Sequence, residues 1–129
     1  MLNKATLMGW VASNPKYLDN DIPTRTSCRF RLKTNKIFTK QNGETKEYEQ
    51  FHNIVIWGVN AKIAQDLIKF DDLVFIEGNI DTNIYEDDDG IEKYMTNIQS
   101  REFRIIATSD EKEKYSNAFN TDKKNDLPF

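Results

Sequence analysis

The sequence predicts an all-β protein, a five-stranded OB-fold barrel with one short helix and a disordered C-terminal tail. Three observations carry that expectation. Most of the chain alternates apolar and polar residues with period two. One stretch, 59–70, switches to helical spacing between the third and fourth long strands. The final residues, 108–129, show no period at all. This strand–helix order is that of the OB barrel, although other small β-rich domains can share it.

Each element rests on particular residues. Residues 4–11 (Lys-Ala-Thr-Leu-Met-Gly-Trp-Val) suit a first strand, and Asn14-Pro15 then marks a turn. Over 28–33 the alternation is clean. Cys28, Phe30 and Leu32 point one way, while Arg29, Arg31 and Lys33 point the other. Gln41-Asn42-Gly43 is a hairpin signal between Phe38 and Tyr48. Residues 47–57 form the next strand, which Gly58 breaks. Ile63, Ala64, Leu67 and Ile68 set the helical spacing, and Asp71-Asp72 turns the chain. Two long strands follow, 73–85 and 94–106, joined by a turn at Asp87-Asp88-Asp89-Gly90. The expected organisation is a barrel domain over 1–107 and a flexible tail over 108–129, with no internal repeat.

Composition narrows the function. The chain has 129 residues, enough for one domain, with 38% hydrophobic and 30% charged residues. No apolar run approaches the roughly 20 residues of a membrane span. The first nine residues lack a signal peptide's apolar stretch, so a cytoplasmic protein is expected. One cysteine, Cys28, excludes an internal disulfide and a multi-cysteine zinc site. One histidine, His52, excludes a His-rich metal site and sits mid-strand on the expected core side. No GxxxxGK, GxSxG or HExxH motif is present. The run Glu86-Asp87-Asp88-Asp89-Gly90 lacks the alternating spacing and distant Glu of a calcium loop, and reads as a solvated turn. Neither an enzyme nor a metal or cofactor is expected.

A net charge of −3 speaks against a nucleic-acid partner, but it is an average over unlike segments. Residues 1–69 hold 11 Lys/Arg against 6 Asp/Glu, whereas residues 70–107 hold 3 against 10. Between 25 and 46 there are seven basic residues and a single acid, Glu44. Arg25, Arg29, Arg31, Lys33, Lys36, Lys40 and Lys46 are therefore the candidates for phosphate contact. Each cation near a phosphate releases condensed counterions.

Aromatic residues make up 12% of a polar chain, so their placement matters. In the strand 47–57 one face carries Phe51, Asn53, Val55 and Trp57, and the other His52, Ile54 and Ile56. A strand lying over a barrel core needs only one apolar face. Ile54 and Ile56 suit the core, which leaves Phe51 and Trp57 free to contact something else. Phe38 and Tyr85 add a ring near each hairpin. Rings that stack on bases beside a cationic track are what single-stranded nucleic acid requires.

These residues also carry a family resemblance. Asn3-Lys4, Gly9, Asn14-Pro15, Gly43-Glu44 and Phe51-His52 before an apolar run to Trp57-Gly58 occur in order. Ile76-Glu77-Gly78, Lys93-Tyr94 and a terminal Asp126-Leu127-Pro128-Phe129 complete the set. Over about residues 3–107 and the last four, the chain resembles the bacterial-type single-stranded DNA-binding proteins. The resemblance implies base stacking by Phe38, Phe51, Trp57 and Tyr85, and a homotetramer. It also implies a partner-binding tip, Asp126, Leu127, Pro128 and Phe129, that recruits replication, recombination and repair proteins. Phe129 would offer a ring and a carboxylate together, a fit for a hydrophobic slot with a basic rim.

Departures from the family pattern are specific. Asn53 stands where a basic residue is usual, and Asp81-Thr82-Asn83-Ile84-Tyr85 lacks the usual cations. Lys123-Lys124-Asn125 replaces the usual acidic residues before the tip. Trp10 follows Gly9 where a small or polar residue is usual; it could alter subunit association or add a stacking ring. The acidity of 81–89 gives weight to an alternative, an OB-fold protein-interaction subunit of a primosome-like replication-restart assembly.

Overall fold

The computed structural model describes residues 1–112. The strands are β1 (Ala5–Val11), β2 (Lys16–Leu18), β3 (Ser27–Thr39), β4 (Thr45–Trp57), β5 (Leu73–Glu86) and β6 (Glu92–Ala107), with one helix, α1 (Val59–Leu67), between β4 and β5. They form a single sheet in the order β1-β5-β6-β4-β3-β2, and β1 also pairs with β3. That second pairing, Trp10 with Lys33 and Val11 with Leu32, closes β1, β5, β6, β4 and β3 into the expected five-stranded OB barrel. The three residues of β2 were not expected as a strand. Asn14-Pro15 interrupts the chain after β1, and β2 rejoins the same edge of β3 by pairing Lys16 with Arg29.

Period two places the core as the alternation demands. Cys28, Phe30, Leu32, Ile54, Ile56, Val74, Ile76 and Ile98 are buried together inside the barrel. Each large aliphatic among them contributes about 1.5–3 kcal/mol by leaving water. Cys28 is sealed in this cluster, and burial pushes its thiol up to about 11. His52 takes the core-side position foreseen for it. Its Nε2 lies 2.8 Å from Thr34 Oγ1, and burial lowers its pKa.

The helix is shorter than the spacing implied, and its buried stripe differs. Ala61, Ala64 and Ile68 face the core, whereas Ile63 and Leu67 are exposed. Small alanines let the helix approach the barrel more closely than isoleucine and leucine would. It stops at Ile68, whose backbone is extended (φ −81°, ψ 128°), and the chain then turns at Asp71, where φ is 70°. Asp72 Oδ2 then accepts the Lys69 N–H at 2.8 Å.

Closure depends on two glycines. A Cβ on Gly9 would lie 2.2 Å from the Lys33 carbonyl oxygen, and one on Gly78 would lie 1.9 Å from that of Gln99. Gly78 sits at a register shift between β5 and β6, the irregularity that bends the sheet into a barrel.

Past Ala107 the chain remains attached. Ser109–Glu111 forms a 3₁₀ turn, and Asp72 Oδ1 accepts the Ser109 N–H at 2.9 Å. Lys112 Nζ reaches Asp71 Oδ1 at 2.8 Å and lies 5.5 Å from the Trp10 ring centroid. Trp10 therefore belongs to a satellite core with Leu73 and Ala107 and is only 9% exposed. Neither an extra stacking ring nor a subunit contact fits a side chain so covered. The remaining tail and its tip, Asp126 to Phe129, lie outside the described residues. Among the described residues no helix is long and apolar enough to cross a membrane.

Candidate nucleic-acid interface

The outer face of the sheet is assembled by register. Across β3, β4, β6 and β5 one row runs Arg31, Asn53, Asn97, Asp81, and the row beside it runs Arg29, Val55, Gln99, Asn79. The parallel pairing of β4 with β6 brings Asn53 to Asn97, which no local pattern could indicate. Charge falls across the face from arginine on β3, through neutral amides, to Asp81 on β5. The Asp81 carboxylate accepts a hydrogen bond from Gln99 Nε2 at 3.2 Å.

Phe51 and Trp57 lie on this face, 46% and 39% exposed. Each carries a guanidinium. Arg31 lies 4.5 Å from the Phe51 ring centroid, and Arg29 lies 5.5 Å from that of Trp57. A stacked guanidinium is worth about 0.5–1 kcal/mol at such exposed sites. Its in-plane N–H groups remain free to meet an anion. Ring and cation are thus presented as units. Val55, on the same face, is not a contact surface: it is 3% exposed and forms part of a cleft floor. The cleft, of about 300 Å³, is lined by Ser13, Asn14, Lys16, Arg29, Arg31 and residues of β4 and β6.

The other candidates are distributed less evenly. Lys33 lies beside Phe51 in register, but its Nζ is 3.7 Å from Glu49 Oε1. Lys40 reaches Glu44 at 4.0 Å across the hairpin turn. Lys36 pairs with Tyr48 and Phe38 with Lys46, which puts this group on the opposite side of the β3–β4 arm from Lys33 and Phe51. Arg25 is exposed in a 3₁₀ turn just before β3, at the Trp57 end. Tyr85 shares the parity of Asp81 and Asn83 on β5, hence the Phe51 side, and stands 44% exposed opposite Lys93. Lys93 is engaged by Asp87 at 3.3 Å. The Asp87 carboxyl is held below its usual range chiefly by the Ile91 N–H, and also by Lys93 and the Asp89 N–H.

Phe51, Trp57, Arg29 and Arg31 are therefore brought into one site, with Tyr85 further along the same side. Phe38, Lys36 and Lys46 form a separate group on an arm. Sequence reasoning missed Asn97, Met95 and Ser13 as cleft residues, because uncharged side chains far apart in sequence carry no signal until the strands pair.

A closed five-stranded barrel whose sheet face joins exposed rings to arginines defines a class: OB barrels with an aromatic, cationic face. Comparison with known proteins makes the class a family. The Single-strand binding protein family model matches residues 2–106. The chain belongs to that family. A Single-stranded DNA-binding protein of Neisseria meningitidis serogroup A is 30% identical over 112 residues, covering 85% of this chain and 63% of its own. The chain thus spans under two thirds of that relative. Single-stranded DNA-binding protein 1 of Clostridium acetobutylicum is 27% identical, over 85% of this chain and 98% of its own. Among solved structures, a Plasmodium falciparum SSB complex with ssDNA shares the fold with a TM-score of 0.72 and 23% identity, over 83% of this chain and 95% of that one. A Thermus aquaticus single-stranded DNA-binding protein aligns with a TM-score of 0.71 and 22% identity, over 81% of this chain and 50% of that one.

Proposed function

We propose that this protein binds single-stranded DNA without sequence preference, holding and protecting exposed strands. The observation that carries the proposal is the pairing of exposed rings with guanidinium groups, Phe51 with Arg31 and Trp57 with Arg29. Bases stack on rings whatever their identity, and the cations meet the backbone. Tyr85 extends the stacking path on the Phe51 side, and Phe38 offers a further ring from the other side of the β3–β4 arm. Lys33, Lys36, Lys40, Lys46 and Arg25 supply further phosphate contacts. Membership of the family supports this reading, with no catalytic step.

In the same proposal the barrel, 1–107, binds DNA and the tail, 108–129, carries the tip Asp126-Leu127-Pro128-Phe129. The tip recruits replication, recombination and repair proteins in the cytoplasm, and the chain assembles as a homotetramer. Sedimentation with and without a long oligonucleotide reads subunit number and occupancy together.

Intrinsic fluorescence tests the core of the proposal. Oligo-dT should quench the exposed Trp57, and added salt should reverse the quench. No response to oligo-dT at low salt would overturn DNA binding and favour a barrel face that docks on protein. Removing the last four residues should leave oligo-dT binding intact while abolishing recruitment of partner enzymes.

A further inference from the structure

We propose that the cleft lined by Arg29, Arg31, Asn53, Val55 and Asn97 is a nucleobase pocket, in which the carboxamides of Asn97 and Asn53 hydrogen-bond the edge of one base. The inference rests on the single-stranded DNA reading and deepens it. It stands on three observations.

Asn97 is only 4% exposed, yet its side chain makes no hydrogen bond to another described residue. Among the described residues, no side-chain nitrogen or oxygen is sealed from solvent without a partner. The Asn97 amide therefore opens into the cleft it lines. Solvent at the cleft can satisfy that amide, so a base edge that hydrogen-bonds it exchanges water for a fixed partner.

Asn53 lies directly beside Asn97 in register. Its Nδ2 makes only a long contact, 3.5 Å, to the Thr96 carbonyl oxygen. Two amides side by side offer donors and acceptors and no charge.

The row Arg31, Asn53, Asn97, Asp81 is graded from positive to negative. A phosphate is drawn to the β3 end and repelled at the β5 end. A strand lying along the face thus keeps its backbone over β3 and directs base edges towards β6. The volume, about 300 Å³, is at the small end for ligand sites and suits a single ring system rather than a cofactor.

Such a pocket need not choose among bases. A carboxamide that rotates about its terminal torsion presents donor and acceptor in either order. Every base carries adjacent donor and acceptor groups on its pairing edge. The contact adds affinity and removes dependence on charge, while leaving sequence nearly unread.

The test compares oligo-dT with the same oligomer made of N3-methylthymidine, which keeps the ring and backbone but loses the edge N–H. Wild-type protein should bind the methylated oligomer about tenfold more weakly, the effect of about one lost hydrogen bond and its unpaired partner. Asn97→Leu keeps the volume and removes the amide. It should weaken oligo-dT to near the methylated level, leave the methylated oligomer unchanged and preserve the salt dependence. Asn53→Ala, at an exposed position, should show a smaller loss in the same sense and serves if Asn97→Leu does not fold. Equal binding of the two oligomers by wild type, or undiminished discrimination in Asn97→Leu, would overturn the pocket while DNA binding stands. Failure of wild type to bind oligo-dT at all would instead remove the underlying reading.

Discussion

Replacing Trp57 by alanine separates stacking from charge. The ring is 39% exposed and carries Arg29 at 5.5 Å, so the change removes a platform and the perch of a cation together. A stacked base is worth about 1–3 kcal/mol, which corresponds to about 5- to 150-fold in Kd. Removing one lysine from the phosphate path lowers the salt slope by about 0.7, or about fivefold between 1 M and 0.1 M salt. Lys33 should cost still less, because Glu49 at 3.7 Å already shares its charge. The expected order is Trp57→Ala worse than Lys36→Ala, and Lys36→Ala worse than Lys33→Ala. Trp57→Phe keeps a ring and should fall near wild type. Anisotropy of a labelled oligo-dT over a salt series reads both quantities. Trp57→Ala should shift affinity at every salt with little change of slope, whereas Lys36→Ala should change the slope. Fluorescence gives an independent check: Trp10 is buried under Lys112, so Trp57→Phe should leave an emission that oligo-dT barely alters. If tryptophan and lysine variants lose affinity equally and with the same change of slope, electrostatics dominates and the stacking argument is wrong.

Four further outcomes follow from the fold. Asp72, 2% exposed, accepts backbone N–H groups of Lys69 and Ser109, so Asp72→Ala should cost about 3 kcal/mol and lower the Tm. A chain ending at Ala107 should melt well below one ending at Lys112, because it uncovers Trp10 and frees one Asp72 oxygen; equal melting would refute the docking role of 108–112. Gly78→Ala forces a methyl against the Gln99 backbone and should destabilise by at least 1–3 kcal/mol, roughly the cost of overpacking, whereas Asn79→Ala nearby should be mild. Burial holds the folded His52 below its ordinary value, so the unfolded chain binds the proton first as pH falls. Stability should be complete above the ordinary imidazole range and decline as pH drops through it towards the lower folded value. Denaturation midpoints of wild type and His52→Gln across that range should diverge on the acid side only.

Much of the barrel was legible because side-chain direction in a strand is a local property. Cys28, Phe30 and Leu32 went inside, and Arg29 and Arg31 outside, as the alternation required. Ile54 and Ile56 were separated from Phe51 and Trp57 by the same rule. The helix was legible as an element, and Ala64 and Ile68 of its spacing are buried, but Ile63 and Leu67 of the same set are exposed and Ala61 takes a core position instead. The surroundings of Trp10 could not be read locally, because Leu73, Ala107 and Lys112, which cover it, lie far along the chain. Phe38 carried a ring in a basic segment. Only the β3–β4 register shows that it stands with Lys46 and not beside Lys33.

By itself the sequence determined which residues alternate into the core, where the chain turns, and that rings and cations share the segment 25–57. A −3 net charge concealed that concentration. Tertiary structure alone decided which of them meet. Alternation is fixed by a two-residue backbone repeat, but the alignment of strands distant in sequence is fixed by barrel closure at Gly9 and Gly78. That closure sets Asn53 against Asn97, puts Val55 at the floor of a cleft, and grades charge across the face.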